Sequence, residues 1–554
     1  MIFYLKQYSR FSVFIALGWL MIAASCKKSD FGTTDIYPPN VEAAISFTAD
    51  APQPSTVSEG TIVKYGVLGL ASKPASSYKF YINQVQATIL EVTDTYISVR
   101  IPKDASSGSA SIVFDNGELF YGPSVIVRGN TQIAADFLAN IGSNKALKNS
   151  SPLFATIYGI TPKADGNFIL YGDFDEYTNA KTATNVTSGI QIVDLSGKAL
   201  AIGSQFVMGK FGLNGSVTDV KELSSGKFLL TGNFSKYDTI DNVKGIVRFN
   251  SNRTFDSKSY EVANDDPEGH PERNTRIGSS VNGGLEGGAI STFLDDDDNY
   301  ISVGNYRRFS SVFYPNSTYT STQLDIIESF GLTKMDDTGQ FDSTFNYNPA
   351  INKSYPGANG FVTTAIQLYY GQLVLGGSFT TFHGAAAQGL VCIDPATGQI
   401  SDTFKGSTDG PVYKITYNEN TEKLVIIGNF KHYNGVPVNG VAVVNEDGSL
   451  VSGSMIKAVT GGVVSYCAQL NDGRFFISGS FLKYNNVVRS GFAILNEDGS
   501  LASGYNNTGL FRGRIMGHAE VNVFGGKALF LVGNFDRFDN KEVGNIVKIV
   551  LANN

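Results

Sequence analysis

The sequence predicts an all-β protein, an N-terminal Ig-like β-sandwich followed by a seven-bladed β-propeller. Three observations carry this. First, an apolar run ending in Gly-x-aromatic, with a second aromatic three residues on, occurs seven times. Its glycines are Gly172, Gly232, Gly304, Gly377, Gly428, Gly479 and Gly533, spaced 60, 72, 73, 51, 51 and 54 residues apart. A period near 50 in strand-rich units is the mark of propeller blades. Second, residues 41–129 hold seven short alternating stretches separated by turn residues, as a sandwich requires. Third, 60 Gly with 38 Phe and 27 Tyr is the composition of a turn-rich β chain.

At 554 residues the chain is long enough for two to four domains. Its net charge of −7, with no basic run after the N-terminal segment, argues against nucleic acid, whose phosphates need clustered Lys and Arg. Three cysteines, Cys26, Cys392 and Cys467, are too few for a disulfide framework. Cys392 and Cys467 lie in apolar runs and read as buried free thiols.

The N-terminus reads as an address. Lys6 and Arg10 precede an apolar run from Phe11 to Ala24, too short to span a membrane comfortably and suited to a secretory signal. Ala23-Ala24-Ser25-Cys26 follows and resembles the lipobox of bacterial lipoproteins. That resemblance implies removal of residues 1–25 and lipidation of Cys26, so that acyl burial at about 0.8 kcal/mol per methylene anchors the chain. Residues 26–40 read as a tether. Lys27, not Asp, follows the cysteine. By resemblance this favours the outer membrane, and the style is similar to surface lipoproteins of Bacteroidota.

Strands are expected in 41–129 at Ala44–Thr48, Thr61–Leu68, Tyr78–Ile82, Gln86–Val92, Tyr96–Ile101, Ser109–Phe114 and Ser124–Val127. The order Glu59-Gly60-Thr61-Ile62-Val63, Tyr81-Ile82-Asn83, Tyr96 to Pro102 and Ser107-Gly108 resembles the IPT/TIG family, which implies a spacer or interaction module. Leu68-Gly69-Leu70 stands where that family often has Gly-x-Gly-Phe.

In 130–554 each repeat runs in one order. An apolar strand (Val412 to Tyr417) leads to the Gly-x-aromatic strand (Lys423 to Gly428). A hairpin follows at Asn434-Gly435, Asn485-Asn486, Asp539-Asn540 or His383-Gly384, pairs that tolerate positive φ. A third strand, an Asn-x-Asp-Gly turn and a short fourth strand ending in Asp-x-x-Phe complete the unit. Asp472 to Tyr484 with Gly491 to Leu501, and Leu332 to Asp342, resemble the bacterial propeller repeat of the Asp-Gly…Gly-x-Phe type. The last repeat lacks a fourth strand, and 132–139 is expected to supply it, closing the ring and removing exposed strand edges.

The repeated aromatics Phe174, Phe234, Phe379, Phe430, Phe481 and Phe535, with Tyr306 in the third repeat, have two readings. They could form a ring of stacking platforms for a glycan. Packing between sheets is preferred, because a feature present in every blade serves the repeat, and the invariant glycine lets sheets approach closely.

Catalytic signatures are missing. His270, His383, His432 and His518 are scattered, the hairpin histidines His383 and His432 are expected to be exposed, and neither His-Glu-x-x-His nor Gly-x-Ser-x-Gly occurs. An enzyme is therefore not expected. A propeller lyase or hydrolase would need carboxylates or histidines converging on one face. Asp295, Asp296, Asp297 and Asp298 could hold Ca²⁺, but they fall where other repeats place a turn, and a solvated turn is the preferred reading. The better pointers are insertions that break the repeat, since propeller function lives in differing loops. One spans 251–290. The other, 305–330, offers Tyr306, Arg307, Arg308, Phe313, Tyr314 and Tyr319, a composition suited to sugar or protein contact. The expected protein is thus a lipid-anchored, surface-exposed outer-membrane binder of polysaccharide or another ligand, accessory to an uptake system. The alternative is a structural or adhesion scaffold docking a protein partner through the propeller.

Overall fold

A computed structural model of the chain describes residues 45–137, 155–174, 176–177, 185–186, 189–200, 212–351, 353–451 and 456–553. The expected signal segment, the tether, Cys26 and positions 138–139 of the expected closing segment lie outside the described residues. Among the described residues there is no α-helix. Strands and two short 3₁₀ turns, Ala75–Ser77 and Tyr314–Asn316, make the regular structure.

The N-terminal unit holds eight strands rather than seven, in the order Ser46–Phe47, Ile62–Leu68, Tyr96–Arg100, Val85–Val92, Tyr78–Ile82, Gly108–Phe114, Leu119–Val127 and Thr56–Val57. The two-residue strand Thr56–Val57 went unread because two residues show no alternation. Val85–Val92 changes partner halfway. Val85 to Ala87 pair with Tyr78–Ile82, and the residues from Thr88 on pair with Tyr96–Arg100, with an irregularity at Ile89/Glu91. The sheet therefore folds over on itself. Alternation in Ile62–Leu68 turns Val63, Tyr65 and Val67 inward, onto Phe80, Ile97, Val99 and Ile112, all fully buried.

Beyond it, among the described residues, follow six three-stranded antiparallel sheets of one build and a seventh in which the same three strands belong to a five-stranded sheet. Their first strands are Thr156–Pro162, Ser216–Glu222, Ala289–Leu294, Val362–Gln367, Val412–Asn418, Val464–Gln469 and Arg512–Val523. Each first strand packs against the first strand of the next sheet, and that of the seventh against that of the first. The sheets thus stand in a ring with their first strands innermost. The fourth strand is reduced to one bridge in six sheets, at Val193–Ala199, Phe249–Phe255, Met335–Phe341, Ile393–Ile400, Val444–Leu450 and Leu495–Leu501. The turn ahead of it consumes the backbone that a longer strand would use. In the third sheet, for example, Asp336 accepts from the amides of Thr338 and Gln340. In the seventh sheet the fourth place is taken by Thr131–Ile133, antiparallel to Ile546–Ala552, with Ile133 opposite Ile549. The pairing begins one residue before the expected 132–139.

The repeated glycine has a geometric cause. Every first strand carries a bulge opposite it, as between Val412 and Lys414 facing Gly428, so the partner backbone bends toward the glycine. A Cβ at Gly172, Gly232, Gly304, Gly377, Gly428, Gly479 or Gly533 would lie 2.0–2.3 Å from a carbonyl oxygen of that strand or its approach. The aromatics after them, Phe174, Phe234, Tyr306, Phe379, Phe430, Phe481 and Phe535, are all buried. They fill the wedges between sheets, each contributing about 1.5–3 kcal/mol.

The two units meet through polar contacts. Asn507, in the segment ahead of the seventh sheet, donates to the carbonyls of Val127 and Thr131 at 3.2 and 3.0 Å and accepts from the Ser107 amide at 2.9 Å. Arg489, 2 % exposed, donates to the Asp104 carbonyl at 3.0 Å. Asn540 donates to the Ser107 carbonyl at 3.2 Å. Burial brings the Arg489 pKa down to about 10, with Asp104 partly offsetting it.

Candidate functional site

Two insertions interrupt the ring around the third sheet, and they fold against each other. The first makes a hairpin, Ser257–Glu261 with Thr275–Ser279. The second makes Arg308–Val312 and Leu324–Glu328, joined by Gly284–Glu286 into a small sheet. Ala263 bridges Thr318, and Arg276 donates to the Thr322 hydroxyl at 2.7 Å. Between insertions and ring lies a cleft of about 1240 Å³.

Its wall is a pair of tyrosines. Tyr260 and Tyr314 stack with centroids 3.8 Å apart and planes 3° from parallel. Tyr260 is pinned by donating to the Ser279 carbonyl at 2.7 Å, with Lys258 Nζ 5.5 Å from its ring centre. Gly278 makes room for Tyr314, since a Cβ there would meet the Tyr314 hydroxyl at 2.1 Å. Burial, then the neighbouring Tyr260, push the Tyr314 pKa up to about 12, so both rings are neutral at physiological pH. Phe313 and Ile326 line the cleft from exposed positions, and Phe341 and Tyr347 line its ring side. Its base is an ion network. Arg248 Nε and Lys227 Nζ reach Asp256 at 2.6 and 3.0 Å, and Ser280 donates to Asp256 at 2.9 Å. Burial opposes ionisation of Asp256, but these donors outweigh it and hold its pKa below the ordinary value. Such a cleft, aromatic-walled with a few fixed charges, suits reversible binding of a ring-bearing ligand.

Of the residues singled out from sequence, Phe313 and Tyr314 line this cleft. Tyr319 is exposed at the far side of the insertion, 5.1 Å from the Arg273 guanidinium. Arg307 borders a separate hollow with Phe330 and Phe361. Arg308 is exposed and acts on Glu286. Tyr306 is corrected: it is 2 % exposed and donates to the Ser302 carbonyl at 2.7 Å, because it occupies the wedge position of the repeat. Tyr260, Lys258, Asp256, Phe341 and Tyr347 were missed. For Asp256, Lys258 and Tyr260 the signal was the alternation inside 251–290, which composition alone does not reveal; Phe341 and Tyr347 lie outside both insertions.

The acidic run is a turn. Asp295 accepts from the amides of Asp297 and Asn299 at 3.0 and 2.8 Å and pairs with Lys334 at 2.5 Å. Its carboxylate is thereby occupied. Among the described residues no group of three or more His, Cys, Asp or Glu could hold a metal ion. His383 is also corrected. It is half-buried between Tyr355 and Phe382, and neither ring nitrogen finds a partner among the described residues. His432 is exposed and lies 2.7 Å from Asp409. Cys392 and Cys467 are free and buried.

Residues 32–123 match a family described as a domain of unknown function (DUF5008), and residues 422–450 and 470–502 match a β-propeller domain of unknown function (DUF5122). The second match makes the repeats of the fifth and sixth sheets propeller repeats. No curated protein matches the sequence. Similar solved structures include an auxiliary nutrient binding protein from Bacteroides ovatus, at 12 % identity over 91 % of this chain and 98 % of that one, TM-score 0.30. A second protein of that description, from Bacteroides thetaiotaomicron, shows 10 % identity over 91 % and 97 %, TM-score 0.31. The Cps50 (Swd1) β-propeller domain of Myceliophteria thermophila shows 12 % identity over 72 % and 100 %, TM-score 0.33. At these scores the likenesses carry no argument about function.

Proposed function

We propose that this is a lipid-anchored binding protein of the bacterial cell envelope, in which a seven-bladed propeller presents the insertion cleft to a polysaccharide. In this reading Cys26 carries the anchor and 26–40 the tether. The N-terminal unit is an Ig-like spacer, the protein stands on the outer membrane surface of a member of the Bacteroidota, and it serves an uptake system without itself catalysing a reaction. The observation that supports it most is the Tyr260–Tyr314 stack, held rigidly beside exposed Phe313 in a cleft of about 1240 Å³ that the insertions form against the ring. Aromatic faces bind sugar rings, and a preformed wall lowers the ordering cost of binding.

A panel of neutral and acidic polysaccharides tests this with the purified full chain. Binding is expected for at least one member, with at least a tenfold loss in Tyr314→Ala and Phe313→Ala and an unchanged melting temperature in the latter. Binding indifferent to both substitutions removes the cleft from the proposal. A second reading, a scaffold docking a protein, is favoured by the exposed Tyr369, Tyr370 and Phe524. All three lie in turns joining first to second strands, on one face of the ring. Retention of an envelope protein that is lost in Phe524→Ser would support it.

A further inference from the structure

The axis of the ring holds a second cluster, separate from the cleft. The residue after each bulge is glycine in the first and last sheets and a hydroxyl in the third and fourth, with Asp219, Lys414 and Tyr466 in the others. The residue opposite the repeated glycine is apolar in every sheet, whereas this column changes character from sheet to sheet. It borders a cavity of about 850 Å³ lined from several sheets, with Tyr369 and Tyr370 at its rim. That volume suits a small organic ligand rather than a bare ion.

Asp219, Asp296 and Glu419 line this cavity together with Lys221 and Lys414, and these charges are unequally satisfied. Asp219 accepts from the Ser291 hydroxyl, from the amides of Val220 and Thr292 at 2.9 and 3.3 Å, and lies 3.5 Å from Lys221 Nζ. Lys414 lines the same cavity, yet among the described residues nothing hydrogen-bonds or ion-pairs with its ammonium. Arg514 of the seventh sheet, an exposed side chain outside the cavity lining, adds positive charge to the surroundings of Lys414. Burial depresses the Lys414 pKa, Asp219 partly offsets this, and Arg514 reinforces it. Lys414 is partly buried, and Asp219, the carboxylate that acts on it, is already engaged by Ser291 and Lys221; a cation compensated so incompletely is costly, and an incoming anion relieves that cost. Thr364, whose hydroxyl accepts from the Ile415 amide at 3.2 Å, still has its own proton to donate.

We infer that the axial cavity binds a carboxylate-bearing sugar, its carboxylate seated on Lys414 and drawn in by Arg514, its ring held by Thr364 and the tyrosines of the rim. Titration calorimetry of the full chain at low salt, with D-glucuronate, D-glucose and inorganic phosphate, tests this. Glucuronate is expected to bind, with glucose at least tenfold weaker. Lys414→Met, which melts like the wild type, weakens glucuronate at least tenfold, and Tyr314→Ala does not. Equal binding of glucose and glucuronate, binding of phosphate without glucuronate, or no binding of any probe overturns the inference. Loss of glucuronate in Tyr314→Ala with retention in Lys414→Met also overturns it, and places acidic sugar in the insertion cleft instead.

Discussion

A Cβ at Gly428 would sit 2.2 Å from the Pro411 carbonyl oxygen, with backbone on both sides of the clash. Gly428→Ala is therefore expected to cost about 1–3 kcal/mol as overpacking, read as a lowered urea midpoint at unchanged slope. The histidines make a second expectation at this scale. Burial lowers the pKa of His383 to about 4. Burial, with Lys414, lowers that of His518 to about 4. Between pH 6.5 and 4 the unfolded chain binds protons that the folded chain refuses, so stability falls as pH falls through that window and is complete above it. At pH 5 each histidine costs about 2 kcal/mol relative to pH 8. The melting temperature should drop from pH 8 to pH 5, and His383→Phe should remove about half of the drop. A drop unchanged in that variant would show that His383 is not the group involved.

Among the elements, the closing strand is the most exposed to test. Ala134 donates its amide to the Lys548 carbonyl at 2.9 Å, just beyond the pairing of Thr131–Ile133 with Ile546–Ala552. Ala134→Pro removes that donor and is expected to cost about 1–3 kcal/mol, measured by urea denaturation. The closing segment was legible because an Asp-Phe pair precedes the first repeat and the last repeat ends early. The seven sheets were legible because Gly428 and its equivalents are forced by backbone contact. The fourth strands were not, since a single bridge leaves no alternation to read. Half of the cleft was legible, because Phe313 and Tyr314 stand out in their loop, whereas Tyr260 meets Tyr314 only through folding of a segment some fifty residues upstream. Lys414 was hidden altogether: in one strand it looks like any solvent-facing lysine, and only six neighbouring first strands enclose it.

At the scale of the molecule, the contacts of Asn507 and Arg489 make the N-terminal unit a fixed outrigger of the ring rather than a swinging spacer. The Asn507 side chain donates to the carbonyls of Val127 and Thr131 and accepts from the Thr131 amide, so Asn507→Leu leaves buried polar groups without partners, at about 1–3 kcal/mol each. With Arg489→Met added, small-angle scattering should show a larger radius of gyration than wild type, and proteolysis should begin at 128–130. An unchanged scattering profile in the double variant would mean that other contacts hold the two units. The pairing of Thr131–Ile133 with Ile546–Ala552 also bears on the order of events during synthesis. The two strands are more than four hundred residues apart, so no nascent chain can close its ring until residue 552 has emerged from the ribosome. Until then the growing stack keeps an open apolar end. Whatever escorts the chain in that interval must shield this end, and a chain cut short before residue 546 would have its first unit folded and its ring unsealed.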